Sequence, residues 1–376
     1  MSGPRRTFLF GNGLSLAFNY DHYLLRNLTA HVRDRLAGMT AGGESLLSHL
    51  DGIADALRRD GTSRSPTTFE DIAGPVDRLA NTLSAFGPLR RVATPEQQEV
   101  LADLNYTLRT LYTRVVGAVL EEVAEHPPTE GGWRQMELVG RALVHVAQEQ
   151  RELDVFCLNY DALLDAAVLN AAEGPPRRAY VSDEFRGDDE AEIPIYTPDG
   201  GLTSVRAFRW RSGTPYSPPG PHLRLHHLHG AATWMRFRGE VWKARRIARL
   251  RECRLFTAWA EGMERPGEEG AVVPVVLLGD QKTRFVRRSP FNENYDAFAA
   301  AVSEADEIVL AGVSFMDRPL NRTISARRRD DARVIVVNPS SNIEARARAA
   351  LSIKDDTLTV ISEPLPAGLF RALGLV

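Results

Sequence analysis

Residues 7–15 read TFLFGNGLS, a short apolar run that stops at a turn containing two glycines. A β-prone run followed by a glycine turn and then by Leu14 and Ser15 predicts a strand, a tight turn and the start of a helix. Glycine lets a backbone approach a ligand closely, and the N-terminus of a helix favours phosphate. The stretch therefore predicts the first βα unit of an α/β fold, with a candidate ligand-binding turn.

The same order, an apolar run followed by a polar or glycine turn, recurs along the chain. The further predicted strands are Asp154–Leu158, His222–Leu228, Val272–Leu278, Glu307–Leu310 and Arg333–Val337. Strands that alternate with helical patterns indicate βαβ units, because parallel neighbours need crossover connections. We therefore expect an α/β fold with a Rossmann-like, doubly wound parallel sheet.

Residues 24–150 change from a strand-like to a helical pattern. Apolar residues recur there at every third or fourth position, at Val100, Leu104, Leu108, Leu111, Val115, Val119 and Val123. This spacing predicts a large helical insertion after the first strand. Residues 173–221 are rich in glycine, proline and acidic residues, with short β-prone pieces at Ile193–Thr197 and Val205–Trp210, and we expect an irregular excursion there. All 376 residues are then expected to form one domain that carries both segments.

Composition excludes several classes of protein. The net charge of -3 does not steer the chain to nucleic acid or to an anionic membrane, although residues 236–254 hold eight Lys or Arg and leave a local nucleic-acid contact open. No apolar run approaches the ~20 residues of a membrane span, and we find no signal-peptide core, so a cytoplasmic protein is expected. Only Cys157 and Cys253 are present, which excludes a four-cysteine zinc module.

Polar residues follow the predicted strands where an open parallel sheet binds its ligands. Asn159 and Asp161 come after a buried strand, although either could also cap the next helix. The turn at residues 11–15 departs from the dinucleotide fingerprint of dehydrogenases, because Leu16 stands where that motif has a third glycine. An ordinary nicotinamide dehydrogenase is therefore disfavoured.

Four histidines lie close together at positions 222, 226, 227 and 229. His227 and His229 would share a strand face, yet no cysteine or carboxylate accompanies them at ligand spacing, so we expect no metal. His229 precedes Gly230 at a strand end, where an imidazole could act as an acid or base because its ordinary pKa is near neutrality. A structural histidine in the core is the alternative.

The chain resembles the sirtuin-like family in the order of five motifs. They are Gly11-Asn12-Gly13-Leu14-Ser15, Leu158-Asn159-Tyr160-Asp161, Leu228-His229-Gly230, Gly312-Val313-Ser314 and Val337-Asn338. The likeness is to a bacterial branch found in antiphage defence proteins. It implies a Rossmann-like domain that binds NAD⁺. A protein deacylase is not expected, since the family's deacylases carry the zinc module that this chain lacks, and Ala231 follows Gly230 here.

The resemblance also implies residue roles. Asn159 would orient a water or the nicotinamide ribose, and His229 would be the base that contacts the ribose hydroxyls. Asp161 would recognise the carboxamide, and Asn338 would lie near the adenosine ribose. The turns that contain glycine would hold the phosphates. The implied cofactor-binding residues are Gly11, Asn12, Gly13, Ser15, Asp161, Gly312, Ser314 and Asn338.

We therefore expect an NAD⁺ glycohydrolase, which takes NAD⁺ as substrate and releases nicotinamide and ADP-ribose without a metal. Its activity would be regulated, as in an effector of antiphage defence. The alternatives are a non-catalytic NAD⁺ or nucleotide sensor and an ADP-ribosyltransferase. The helical insertion is the expected surface for a homo-oligomer. Relatives imply a helicase-like ATPase or another defence partner, whereas the chain itself has no GxxxxGK[ST] loop.

Overall fold

The structure, a computed structural model, describes most of the chain. The described residues are 4–41, 43–59, 68–85, 92–126, 128–173, 178–183, 185–211, 218–263, 270–279, 281–284, 286–354 and 356–375. The strands are β1 (Arg6–Phe10), β2 (Thr40–Ala41), β3 (Glu44–Ser45), β4 (Glu152–Cys157), β5 (Tyr180–Ser182), β6 (Phe185–Tyr196), β7 (Leu202–Trp210), β8 (His222–His227), β9 (Gly230–Phe237), β10 (Glu240–Ala244), β11 (Val273–Val276), β12 (Glu307–Ala311), β13 (Arg333–Val337) and β14 (Leu358–Ile361).

Helices connect and cover these strands. They are α1 (Gly13–Phe18), α2 (Tyr20–Tyr23), α3 (Leu25–Gly38), α4 (Leu46–Arg59), α5 (Phe69–Ala85), α6 (Pro95–Glu125), α7 (Glu130–Gln150), α8 (Leu163–Ala172), α9 (Ile247–Glu252), α10 (Leu255–Glu261), α11 (Gln281–Arg284), α12 (Phe291–Glu304), α13 (Arg318–Arg327), α14 (Ile343–Leu351) and α15 (Ala367–Leu373). Within the described ranges, none of them combines the length and apolar composition needed to cross a bilayer.

A seven-stranded parallel sheet organises the molecule. Its strand order is β14-β13-β12-β1-β4-β8-β5, and every neighbouring pair runs parallel. Helices α7, α8 and α15 pack on one face, and α12, α13 and α14 pack on the other. The predicted doubly wound α/β fold is therefore confirmed, including the helical insertion after β1. Strands β5 and β14 were not predicted, because they are only three and four residues long.

A second sheet differs from the expectation. It is antiparallel, with the order β11-β9-β10-β7-β6. The predicted strand Val272–Leu278 belongs to it as β11, because a short apolar run carries no information on which sheet it joins. The excursion expected to be irregular, 173–221, contains β5, β6 and β7. In β6, Ile193 and Ile195 are buried while Glu192 is exposed, and the strand begins well before the β-prone piece predicted from Ile193.

The helical insertion shares a core with this second sheet. Buried side chains of α3 to α6 and of α10 pack against the strands in one cluster, which also includes Tyr160. A capping box begins α6, since Thr94 and Gln97 each accept from the other's backbone amide. The predicted apolar stripe of α6 is buried only in its second half. Val100 and Leu104 are 57% and 48% exposed.

The close contact between α7 and α8 yields a stability prediction. A Cβ atom on Gly140 would lie 2.0 Å from the carbonyl oxygen of Ala167, whereas one on Gly131 of the same helix would meet nothing within 4 Å. Gly140→Ala should therefore cost about 1–3 kcal/mol of unfolding free energy through overpacking. Gly131→Ala should be neutral or slightly stabilising, because alanine favours helix. Chemical denaturation measures both, and equal effects of the two substitutions would contradict this packing.

Candidate functional site

Five loops that carry predicted site residues leave the same edge of the parallel sheet. Phe10 at the end of β1 pairs with Ala311 of β12 and with Cys157 of β4, and Cys157 pairs with His227 of β8. Asn159 lies two positions after Cys157, and His229 lies two positions after His227, so the two residues follow a pair of neighbouring strand ends. The carboxyl ends of neighbouring parallel strands are where such folds bind ligands. We call this edge, with the loops after β1, β4, β8, β12 and β13, the carboxyl rim.

Glycines let two of these loops pack directly on one another. The amide of Gly13 donates to the carbonyl of Gly312 over 3.1 Å. A Cβ atom on Gly13 would lie 2.5 Å from the Cα of Gly312, and one on Gly11 would lie 2.7 Å from its carbonyl oxygen. Close packing of the two loops is therefore enough to explain why both carry glycine. Phosphate binding by these loops stays a prediction. Asn12 is exposed, and its Nδ2 donates to the carbonyl of Tyr23 over 3.1 Å.

Three predicted site residues form one buried hydrogen-bonded network. The Nδ2 of Asn159 donates to the hydroxyl of Ser15 over 2.8 Å, and that hydroxyl donates to Oδ2 of Asp161 over 2.5 Å. The amide of Leu163 donates to the other carboxylate oxygen over 3.0 Å. Burial raises the pKa of Asp161, although the hydrogen bonds from Ser15 and Leu163 oppose that rise. Asp161 therefore takes up a proton more readily than an exposed aspartate.

His229 lies in the turn after β8 and is paired with a carboxylate. Its Nε2 is 2.9 Å from Oδ2 of Asp317, and the hydroxyl of Tyr295 is 3.4 Å from the same nitrogen. Burial lowers the pKa of His229, Lys282 lowers it further, and Asp317 acts in the opposite direction. The net result is a pKa of His229 below its usual value, which favours the neutral imidazole. Burial alone would raise the pKa of Asp317, but His229 and the amide of Leu320 hold it below its usual value.

The helical insertion reaches the carboxyl rim through Tyr160. The hydroxyl of Tyr160 donates to the carbonyl of Leu277 over 2.7 Å and lies 3.0 Å from Oε1 of Glu70 in α5. The Nζ of Lys282 donates to the same oxygen of Glu70 over 2.7 Å. The ring centroids of Tyr160 and His229 are 6.5 Å apart. Tyr160 is adjacent to Asn159 in the chain. It therefore lies between the Ser15–Asn159–Asp161 network and His229.

Sequence reasoning missed Glu70, Lys282, Tyr295 and the role of Asp317. The first three lie far apart in the chain and belong to no recognisable motif. Asp317 was visible at the end of the turn after β12, but an aspartate before a helix is explained by capping. It does cap α13, since its Oδ1 accepts from the amide of Leu320 over 3.0 Å. Only the fold shows that its second oxygen is directed to His229.

The other three clustered histidines have structural partners. His227 lies in β8 and His229 lies beyond it, so the two do not share a strand face as predicted. The partners, each reached by Nε2, are Ser182 for His222 at 2.6 Å, Asp154 for His226 at 3.3 Å, and Asp165 for His227 at 2.8 Å. Among the described residues, no three metal-ligating side chains converge at this rim.

The remaining predicted residues line the loops after β12 and β13. Gly312 has a φ of 67°, a conformation that favours glycine, and its amide donates to the carbonyl of Val337 over 2.8 Å. Ser314 is exposed. The Nδ2 of Asn338 donates to the carbonyl of Val313 over 3.1 Å, which ties the two loops together. Contacts of these residues with a nucleotide stay predictions.

Comparisons with known proteins give a distant structural likeness. No protein-family model and no curated protein matches the chain. The chain is similar to a Sir2 enzyme solved in a study of mechanism and regulation, with 12% identity over 99% of this chain and 94% of that one and a TM-score of 0.38. It is also similar to a mutant Sir2 homologue in complex with ADP-ribose, with 13% identity over 99% and 94% and a TM-score of 0.37. With TM-scores below 0.5, the likeness establishes no family, and we argue function from the site itself.

The charges around His229 predict opposite effects of two substitutions. Asp317 raises the pKa of His229, so Asp317→Asn should lower that pKa further. Lys282 lowers it, so Lys282→Met should raise it. Proton NMR titration of the His229 ring measures both shifts without any substrate. Shifts of the same sign, or none in either variant, would show that these groups do not set the charge of His229.

Proposed function

We propose that the protein is an NAD⁺ glycohydrolase that cleaves the bond between nicotinamide and ribose. The observation that carries this proposal is the placement of two preorganised groups on one rim, the Ser15–Asn159–Asp161 network and the His229–Asp317 pair. Nicotinamide leaves as a neutral molecule from a cationic ring, so the barrier lies mainly in positioning the ribose and stabilising its oxocarbenium-like transition state. Fixed polar groups in a buried site supply that stabilisation.

Asn159 is suited to orient the attacking water. Its Nδ2 is held by the hydroxyl of Ser15, which fixes the plane of the amide and leaves Oδ1 as an acceptor for a water or a ribose hydroxyl. Asp161 would bind the carboxamide of nicotinamide. Because burial raises the pKa of Asp161, its protonated form, which can donate to the carboxamide oxygen, is more accessible there than on the surface.

His229 is suited to act as the base. Its Nε2 lies 2.9 Å from Oδ2 of Asp317; in the tautomer with the hydrogen on that nitrogen, Nδ1 would carry the lone pair. Nδ1 is buried and has no hydrogen-bond partner among the described residues, which is the state that a base requires before its substrate arrives. The proton would pass from a ribose hydroxyl or the attacking water to Nδ1. Asp317 would then stabilise the imidazolium that forms.

The dinucleotide itself would extend along the rim. Its phosphates would lie at the turn of Gly11, Asn12, Gly13 and Ser15. Gly312 and Ser314 would contact the phosphates from the other loop, and Asn338 would contact the adenosine ribose. These assignments follow the motif resemblance and the common rim.

Regulation through assembly belongs to the same proposal, since unrestrained cleavage would deplete the NAD⁺ of the cell that makes the protein. Val100 and Leu104 are exposed on α6, and exposed apolar side chains along a helix support self-association through the insertion. An antiphage role and a helicase-like ATPase or other defence partner are proposed on the resemblance alone.

Nicotinamide release from NAD⁺ tests the proposal. Asn159→Ala and His229→Ala should each lower kcat/KM by ~10²–10⁴, the usual effect of losing a positioned acid, base or water ligand. His145→Ala is the matched control, because His145 is an exposed histidine on α7 that pairs with Glu149. Chromatography of nicotinamide and ADP-ribose gives the rates, measured at several protein concentrations.

Two outcomes would contradict hydrolysis and favour the alternatives. Saturable NAD⁺ binding without product at any protein concentration would indicate a sensor. Transfer of label from adenine-labelled NAD⁺ onto protein or nucleic acid, with no free ADP-ribose, would indicate an ADP-ribosyltransferase. Product formation that survives in both alanine variants would show that the reacting groups lie elsewhere.

A further inference from the structure

A second group of histidines lies where α2, α3 and α6 meet, away from the carboxyl rim. It consists of His22 in α2, His31 in α3, Glu122 in α6 and His126 at the end of α6. One ligand atom from each of His22, His31 and Glu122 lies within 4.8 Å of the other two. The ring of His22 stacks on that of His126 with centroids 3.6 Å apart, and the ring of His31 is 5.4 Å from that of His22.

The backbone orients two of these imidazoles as it does in metal sites. The carbonyl oxygen of Glu122 lies 2.9 Å from Nε2 of His22 and 3.1 Å from Nδ1 of His126. A carbonyl can only accept, so both of these nitrogens carry hydrogen and the opposite nitrogens carry lone pairs. Metal-binding histidines are usually anchored in this way, by a donor bond from the nitrogen that does not bind the metal.

The carboxylate of Glu122 is also held in place by a neighbouring protein group. Its Oε1 accepts from Nε and Nη2 of Arg35, over 2.7 and 2.6 Å. Its Oε2 faces His31, with Nδ1 of that ring 3.9 Å away. Arg35 therefore holds one oxygen and leaves the other directed at the histidines, as an outer partner of a metal-binding carboxylate does.

The cluster is open to solvent on one side. A cavity of about 480 Å³ reaches it, lined by His31, Asp34, Arg35, Glu122 and His126. The side chain of His31 is 45% exposed, whereas that of Glu122 is only 8% exposed. An ion could therefore enter from the cavity, and His31 has room to move towards it.

We propose that His22, His31 and Glu122, with His126 beside them, bind one divalent transition-metal ion of the zinc type. Two or three imidazoles with one carboxylate suit Zn²⁺, whereas Mg²⁺ and Ca²⁺ prefer oxygen ligands alone. Binding draws the ligand atoms together to roughly 3.3–3.4 Å, the separation that metal–nitrogen bonds of about 2.0–2.1 Å impose in a tetrahedron. This site is distinct from the strand-end histidines, for which the sequence predicts no metal.

The ion would join α2 and α3 to α6. His22 and His31 belong to the helices that follow the glycine turn, and Glu122 belongs to α6. The residue after His22 is Tyr23, whose carbonyl accepts from the side chain of Asn12. A metal at the cluster thus stiffens the segment that anchors the turn, and the effect is measurable as a gain in thermal stability.

Zinc binding to the full chain, measured without NAD⁺, tests this site. Isothermal titration of metal-free protein with Zn²⁺ should give one site per chain, and Zn²⁺ but not Mg²⁺ should raise the melting temperature by a few degrees. His31→Ala and Glu122→Gln should each weaken binding by ~tenfold or more and reduce the thermal shift. His145→Ala, which removes an exposed histidine outside the cluster, should leave both unchanged.

Absence of zinc binding to the wild-type protein would overturn the proposal. So would equal affinities in the wild type, His31→Ala and His145→Ala, because zinc would then be held by surface histidines in general. His31 is exposed, so its substitution leaves the fold intact and remains decisive if Glu122→Gln is unstable.

Discussion

The in-register parallel pairing of β12, β1, β4 and β8 is the constraint on which the site depends. It brings loops that are as much as 300 residues apart in the chain to one edge, and it places Asn159 and His229 at equivalent positions beyond paired residues. The contact between Gly13 and Gly312 then fixes how closely two of those loops approach. A side chain at either glycine would separate the loops and, with them, the two halves of the rim.

Burial also determines the charge of the site residues. It favours the neutral form both of Asp161 and of His229. The helical insertion contacts this region through Glu70, which lies far from the motifs in the chain and accepts from the hydroxyl of Tyr160. The insertion therefore contacts the carboxyl rim through Glu70, which also accepts from Lys282.

The sequence predicts the sheet better than it predicts the site's environment. The strand-turn-helix order at residues 7–15 and the buried runs before Asn159 and His229 are local patterns, and they led to the correct parallel sheet. The antiparallel sheet was not predicted, because Val272–Leu278 has no periodicity that distinguishes the two sheets and because the acidic, glycine-rich composition of 173–221 outweighed its two β-prone pieces. The Ser15–Asn159–Asp161 contacts lie between predicted residues, but the pairing of His229 with Asp317 depends on the path of the loop after β12, which no local pattern specifies.

The most direct test is a crystal structure of His229→Ala soaked with NAD⁺, since loss of the proposed base should preserve the intact dinucleotide. We expect the nicotinamide ring beside Asn159 and Asp161, with its ribose facing the position vacated by His229 and the phosphates at the turn of Gly11 and Gly13. A dinucleotide bound outside the carboxyl rim, or no bound dinucleotide at millimolar NAD⁺, would contradict the account.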